Sequence, residues 1–99
     1  MQVNITSTGV ELHQELEKKI QRKLQLTLSR VKPYITTISI SLSNSINSRG
    51  IKNMHCKLML VIVNQSDVIV EDTQMDLDCV IDRVLQKTSR MIERLVFNA

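Results

Sequence analysis

Arg83, Lys87, Arg90 and Arg94 recur at intervals of four, three and four within DRVLQKTSRMIERL, residues 82–95. At about 100° per residue in an α-helix they fall within about 60° of one another, roughly 115° from the apolar centre of the same stretch. A line of cations on one helix flank is chemistry for a polyanion. Guanidinium and ammonium donors pair with phosphate oxygens, and each phosphate neutralised releases condensed counterions. Residues 13–31 behave alike: Lys19, Lys23 and Arg30 share a line about 100° from the apolar face, with Arg22 further round.

The plain alternative is a solvated face that keeps the protein soluble. Against it stands the missing counter-charge. Surface helices interleave acids for i, i+4 pairing, whereas Glu93 is the only acid from residue 83 onward. Like charges at that spacing repel by a few tenths of a kcal/mol per pair.

Other reactive residues form weaker constellations. His13 and His55 stand without a nucleophile signature. Asp78 and Asp82 lie one helical turn apart and could mimic a carboxylate pair, but a place near a helix N-terminus explains them without catalysis. Cys56 and Cys79 lack metal-ligand spacing and read as reduced, mostly buried thiols. With only Gly9 and Gly50 there is no glycine-rich phosphate loop. No motif points to an enzyme, a cofactor, a metal or a small-molecule substrate.

Net charge is only +3, but it is unevenly laid out. Lys18, Lys19, Arg22, Lys23, Arg30 and Lys32 crowd residues 13–32 against Glu15 and Glu17. Residues 67–82 hold Asp67, Glu71, Asp72, Asp76, Asp78 and Asp82 and no cation. Basic regions beside an acidic one suit a polyanionic partner. Tyr34 and Phe97 are the only aromatics, too few for a base-stacking platform, so the core must be aliphatic. The longest apolar run, LMLVIV at 58–63, is too short to span a bilayer. No signal peptide is visible at the N-terminus, and the cytoplasm is the expected compartment.

The elements that must position these cations follow from periodicity. Residues 2–6 alternate as a strand. From 13 to 31, Leu16, Ile20, Leu24, Leu28 and Val31 mark one face of an amphipathic helix, which Pro33 stops. Residues 34–43 alternate as a half-buried strand, 44–53 read as a polar loop, and 54–63 and 67–72 read as two more strands around a turn at 64–66. The last helix is expected to open at Thr73, with Asp76 three residues on as a capping box. Leu77, Val80, Ile81, Val84, Leu85, Thr88, Met91, Ile92 and Leu95 make its buried face. The order is βαβββα, an α+β domain over residues 1–99 in which two helices cover one face of a four-stranded sheet.

The chain resembles the ribosome hibernation-promoting factor and ribosome-associated inhibitor family, also called sigma-54 modulation proteins. The opening MQVNIT and VEL at 10–12 are similar to the family's usual start. EDTQMDLDCVIDRVLQKTSR fits its later pattern through Asp72, Asp78, Asp82, Arg83 and Val84, and LSR at 28–30 is similar to a short subgroup. The resemblance implies a shape related to double-stranded-RNA-binding domains. It implies binding in the decoding region of the small ribosomal subunit, across the messenger and transfer RNA sites, in stationary phase and under stress. Basic residues of both helices would contact ribosomal RNA. Lys23, Arg83, Arg90 and Arg94 align with family cations, while Arg22 and Lys87 are basic neighbours. Leu26, Gln86 and Ile92 stand where the family often carries further cations. The end at 97–99 resembles the short form, without the C-terminal domain through which long members pair ribosomes.

The expected function is therefore translational silencing, with Lys19, Arg22, Lys23, Arg30, Arg83, Lys87, Arg90 and Arg94 as RNA-binding residues. Two rivals stand beside it. A general RNA-binding module off the ribosome would let free duplex RNA displace ribosomes at comparable concentration. A protein-interaction module using an edge strand or the acidic 67–82 segment would keep its partner after Arg83, Lys87 and Arg90 were reversed to glutamate.

Overall fold

The computed structural model describes residues 1–97. In chain order they form β1 (Gln2–Thr8), α1 (Gln14–Thr27), a 3₁₀ turn (Lys32–Tyr34), β2 (Ile35–Ile46), β3 (Lys52–Ile62), β4 (Val68–Gln74) and α2 (Leu77–Phe97). The strands lie in the order β1-β2-β3-β4. β1 runs parallel to β2, and the β2–β3 and β3–β4 pairs are antiparallel. This is the expected βαβββα fold.

Alternation decides which face of the sheet is covered. Ile38, Ile40 and Leu42 of β2, Cys56, Leu58 and Leu60 of β3, and Val68 and Val70 of β4 are buried on the helical side. Ser39, Ser41 and Ser43, with Met59, Lys57 and His55 opposite them on β3, line the open side. Leu16, Ile20 and Leu24 of α1 meet that sheet, as do Val80, Ile81, Val84, Leu85 and Ile92 of α2. The core is wholly aliphatic apart from Cys56 and Thr88. The Thr88 hydroxyl is satisfied by donating to the Val84 carbonyl at 2.7 Å. Each fully buried Leu, Ile or Val contributes about 1.5–3 kcal/mol relative to exposure.

Several boundaries differ from expectation. α1 stops at Thr27, not 31: Leu28 leaves helical geometry (φ −107°, ψ 15°) and caps the helix with its N–H on the Leu24 carbonyl. Leu28 and Val31 are still buried, because tight turns through Val31 and Tyr34 carry them on to the core. At the other end His13 is the N-cap, its Nδ1 accepting from Leu16 N–H at 3.1 Å. The expected 44–53 loop shrinks to residues 47–51. Its flanks pair in register from Asn44↔Met54 to Ile46↔Lys52, the hairpin backbone pairing on to an end where even Ile46 is exposed. β1 runs on to Thr8, where Gly9 turns the chain at φ +74°. A Cβ at Gly9 would sit 2.7 Å from Asn44 Oδ1, so both conformation and space call for glycine.

The expected helix start at Thr73 is corrected. Thr73 stays in β4 opposite His55, and its Oγ1 lies 2.9 Å from His55 Nδ1. Asp76 caps α2 instead, accepting from Cys79 N–H at 2.9 Å. Both residues are good caps; two more residues of sheet pairing with β3, Thr73 and Gln74, settle which one serves. Met91, expected in the buried face, is 38% exposed. The expectation of two buried thiols is half right: Cys56 is buried and Cys79 is exposed.

Candidate nucleic-acid interface

β1, β2 and β4 share a direction, so α1 and α2, which follow β1 and β4, come back parallel to each other across the same face. Their seam is marked by three ion pairs in step. Lys19 Nζ donates to Asp78 Oδ1 at 2.9 Å, Lys23 Nζ to Asp82 Oδ1 at 2.6 Å, and Arg30 Nη1 to Glu93 Oε1 at 3.3 Å. The Asp78 carboxyl is held below its ordinary range by the Lys19 hydrogen bond, and Lys19 is pushed up by the same bond. Arg30 also stacks over Phe97, its Cζ 5.3 Å from the ring centroid, while Tyr34 meets Phe97 edge-on at 6.3 Å.

The second line lies on the opposite flank of α2, above β4. Arg83 Nε donates to Asp72 Oδ2 at 2.8 Å, and Lys87 Nζ lies 3.5 Å from the same oxygen. Asp72 is the last acid on the inward side of β4, and its side chain is only 14% exposed. The Arg83 hydrogen bond, helped by the Thr73 N–H, lowers its pKa to about 2. Arg90 and Arg94 are exposed and have no acidic partner among the described residues. Arg83, Gln86, Lys87 and Arg90 enclose a polar depression of about 210 Å³.

All eight expected cations thus lie on the helical layer, but they do not merge into one uninterrupted positive surface. Lys19, Lys23 and Arg30 are each matched by an α2 acid. Arg22 is exposed about 80° round α1 from that line. The counter-charge that seemed missing from 83 onward is supplied from elsewhere: Asp72 reaches Arg83 and Lys87 from β4. The acids of 67–82 divide by role. Asp76 caps α2, Asp72 ties it to β4, and Asp78 and Asp82 face α1. Sequence reasoning read Asp78 and Asp82 only as helix-end residues. Their cations are 59 positions away in the chain, and only the parallel helix arrangement brings them together.

The other singled-out residues take structural places. His13 caps α1, and His55 Nε2 lies 3.0 Å from Glu71 Oε1 on the open sheet face. Burial pushes the Cys56 thiol up to about 11, so it stays protonated. Among the described residues no His, Cys, Asp and Glu cluster could hold a metal ion, and no helix is long and apolar enough to cross a membrane.

The family model for Sigma 54 modulation protein / S30EA ribosomal protein matches residues 3–96, from β1 to the last turn of α2. The chain belongs to this family. Family membership makes it a ribosome-associated protein. Two solved structures share its fold. A ribosomal subunit interface protein from Coxiella burnetii matches with a TM-score of 0.77 at 17% identity, over 96% of this chain and 97% of that one. The N-terminal domain of Protein Y from Thermus thermophilus matches with a TM-score of 0.72 at 14% identity, over 96% and 99%. At such identities the likeness carries the architecture and not the contacts. No curated protein matches this sequence significantly. Within the family frame, the strings that carried the resemblance have physical jobs here. Asp72 and Arg83 are partners across β4 and α2, and Asp78 and Asp82 line the seam with α1.

Proposed function

We propose that residues 1–99 act as one cytoplasmic domain that binds the decoding region of the small ribosomal subunit and silences idle ribosomes. Contact with ribosomal RNA runs through Lys19, Arg22, Lys23 and Arg30 of the first helix side and Arg83, Lys87, Arg90 and Arg94 of α2. The observation that carries this reading is the outward flank of α2. Arg83, Lys87 and Arg90 line a polar depression there, and Arg90 and Arg94 stand without an anionic partner among the described residues. Family membership names the ribosome as the particle that supplies the phosphates. Phosphate contacts set position without reading sequence, which suits blockade of one fixed site. The act requires no cofactor and no bond-making step.

The test is cosedimentation with purified small subunits over a range of salt, followed by footprinting of the bound RNA. Engagement of four to six phosphates gives a slope of log affinity against log salt on the order of −3 to −5. A nearly flat salt dependence, or protection confined to RNA far from the decoding region, refutes the reading. Excess unrelated duplex RNA is the competitor. Displacement at comparable concentration would assign the protein to general RNA binding instead.

A further inference from the structure

The acids in the α1–α2 seam are poorly explained by the stability of the fold. Apart from the half-buried Lys23, the members of these pairs are well exposed; Asp78 and Asp82 are 54% and 53% accessible. Exposed ion pairs contribute little to stability. Helix-dipole arguments cover only Asp78, in the first turn of α2. Asp82 lies beyond that turn, and Glu93 lies toward the end of α2 where the dipole disfavours an anion. Each of the three nevertheless lies within 3.3 Å of a cation on α1 or, for Arg30, on the turn that follows it.

We propose that Asp78, Asp82 and Glu93 are internal stand-ins for phosphate, which occupy Lys19, Lys23 and Arg30 in the free protein and so withhold them from RNA that cannot reach the seam. This rests on the RNA-binding reading above and assigns its specificity. The seam pairs Lys19, Lys23 and Arg30 one to one with carboxylates, so its own charge balances. The outward flank of α2 sets Asp72 alone against Arg83, Lys87, Arg90 and Arg94, so its charge is in surplus. An unrelated duplex lying on the protein meets the surplus flank and gains a few contacts. To gain more it must displace the carboxylates, which then lie beside its own phosphates and repel them. An RNA cleft that contacts both helices together can offer phosphates in place of all three acids at once. Specificity is a difference of affinities, set as much by what the wrong partner meets as by what the right one gains.

The experiment compares wild type with Asp78→Asn/Asp82→Asn and with Asp78→Glu/Asp82→Glu. The first pair removes the charge at nearly constant shape, and the second keeps it. Thermal melts check that all three fold. Binding to an unrelated RNA hairpin is measured by fluorescence anisotropy from about 50 to 300 mM salt, and binding to isolated small subunits by cosedimentation. The asparagine variant is expected to bind the hairpin about tenfold more tightly near 0.1 M salt. Its salt slope should steepen by about 1 to 2, the signature of one or two newly released cations. The glutamate variant should match wild type, and subunit affinity should change less, so discrimination between the two RNAs narrows. Unchanged hairpin affinity and slope in a folded asparagine variant overturn the inference. The hairpin arm decides this whatever the subunits do, and loss of wild-type subunit binding is a separate result that counts against the proposed function.

Discussion

The seam between α1 and α2 and the outward flank of α2 carry similar cations at similar helical spacing, yet they differ in electrostatic state. In the seam every lysine or arginine of the α1 line is answered by a carboxylate on the neighbouring helix. On the flank Asp72 answers Arg83 and Lys87, and Arg90 and Arg94 project unpaired among the described residues. Counting cations along a helix therefore overstates the charge that a ligand meets. What a polyanion feels is the cations left over after the fold has paired its own.

Several substitutions would break or sharpen this contrast. The largest effect is expected from Arg90→Glu/Arg94→Glu. Two surplus cations become two repelling anions, and subunit affinity near 0.1 M salt should fall on the order of 100-fold, with a shallower salt slope. Lys19→Glu/Lys23→Glu makes the same formal charge change in the seam and should cost less than about tenfold in binding to an unrelated RNA hairpin, because there those cations stay on their carboxylates. Equal losses of hairpin affinity from the two pairs would erase the distinction between the regions; fluorescence anisotropy reads both.

A subtler effect belongs to pH. The folded Asp72 carboxyl has its pKa lowered to about 2, first by the Arg83 hydrogen bond. A depressed carboxylate stabilises the fold above its unfolded pKa near 3.9, and that stabilisation fades as pH falls through the folded value. Melting temperature should thus decline between about pH 4 and pH 2, and Arg83→Gln should flatten that part of the curve. If Arg83→Gln leaves the acid limb unchanged, Asp72 is held by something other than its guanidinium partner. The smallest effect is expected for Asp82→Asn alone, below about 1 kcal/mol in chemical denaturation, since exposed pairs contribute little.

The strands, helices and inward faces were legible because alternation and the 3.6-residue period are local properties. Ile38, Ile40 and Leu42 could be placed on one face from the sequence alone, as could Leu16, Ile20 and Leu24. Boundaries blurred where two signals competed. Thr73 and Asp76 both cap helices well, and the longer pairing of β4 with β3 decided between them. Asn44, Ser45 and Asn53 read as loop because nothing in a polar run says that backbone pairing continues through it. The cations themselves were visible, but their partners were not. Lys23 and Asp82 are joined only when two helices come to lie side by side in the same direction, and Arg83 meets Asp72 only when α2 folds back over the strand it has just left.

The edge-on pair of Tyr34 and Phe97 beside Arg30 has a practical corollary. With no tryptophan and one tyrosine in the chain, near-ultraviolet light sees this protein almost entirely through that corner. Tyr34 emission accordingly reports whether the final turn of α2 is seated. A ligand that pulls Arg30 away from Phe97 would announce itself in the spectrum without any attached dye.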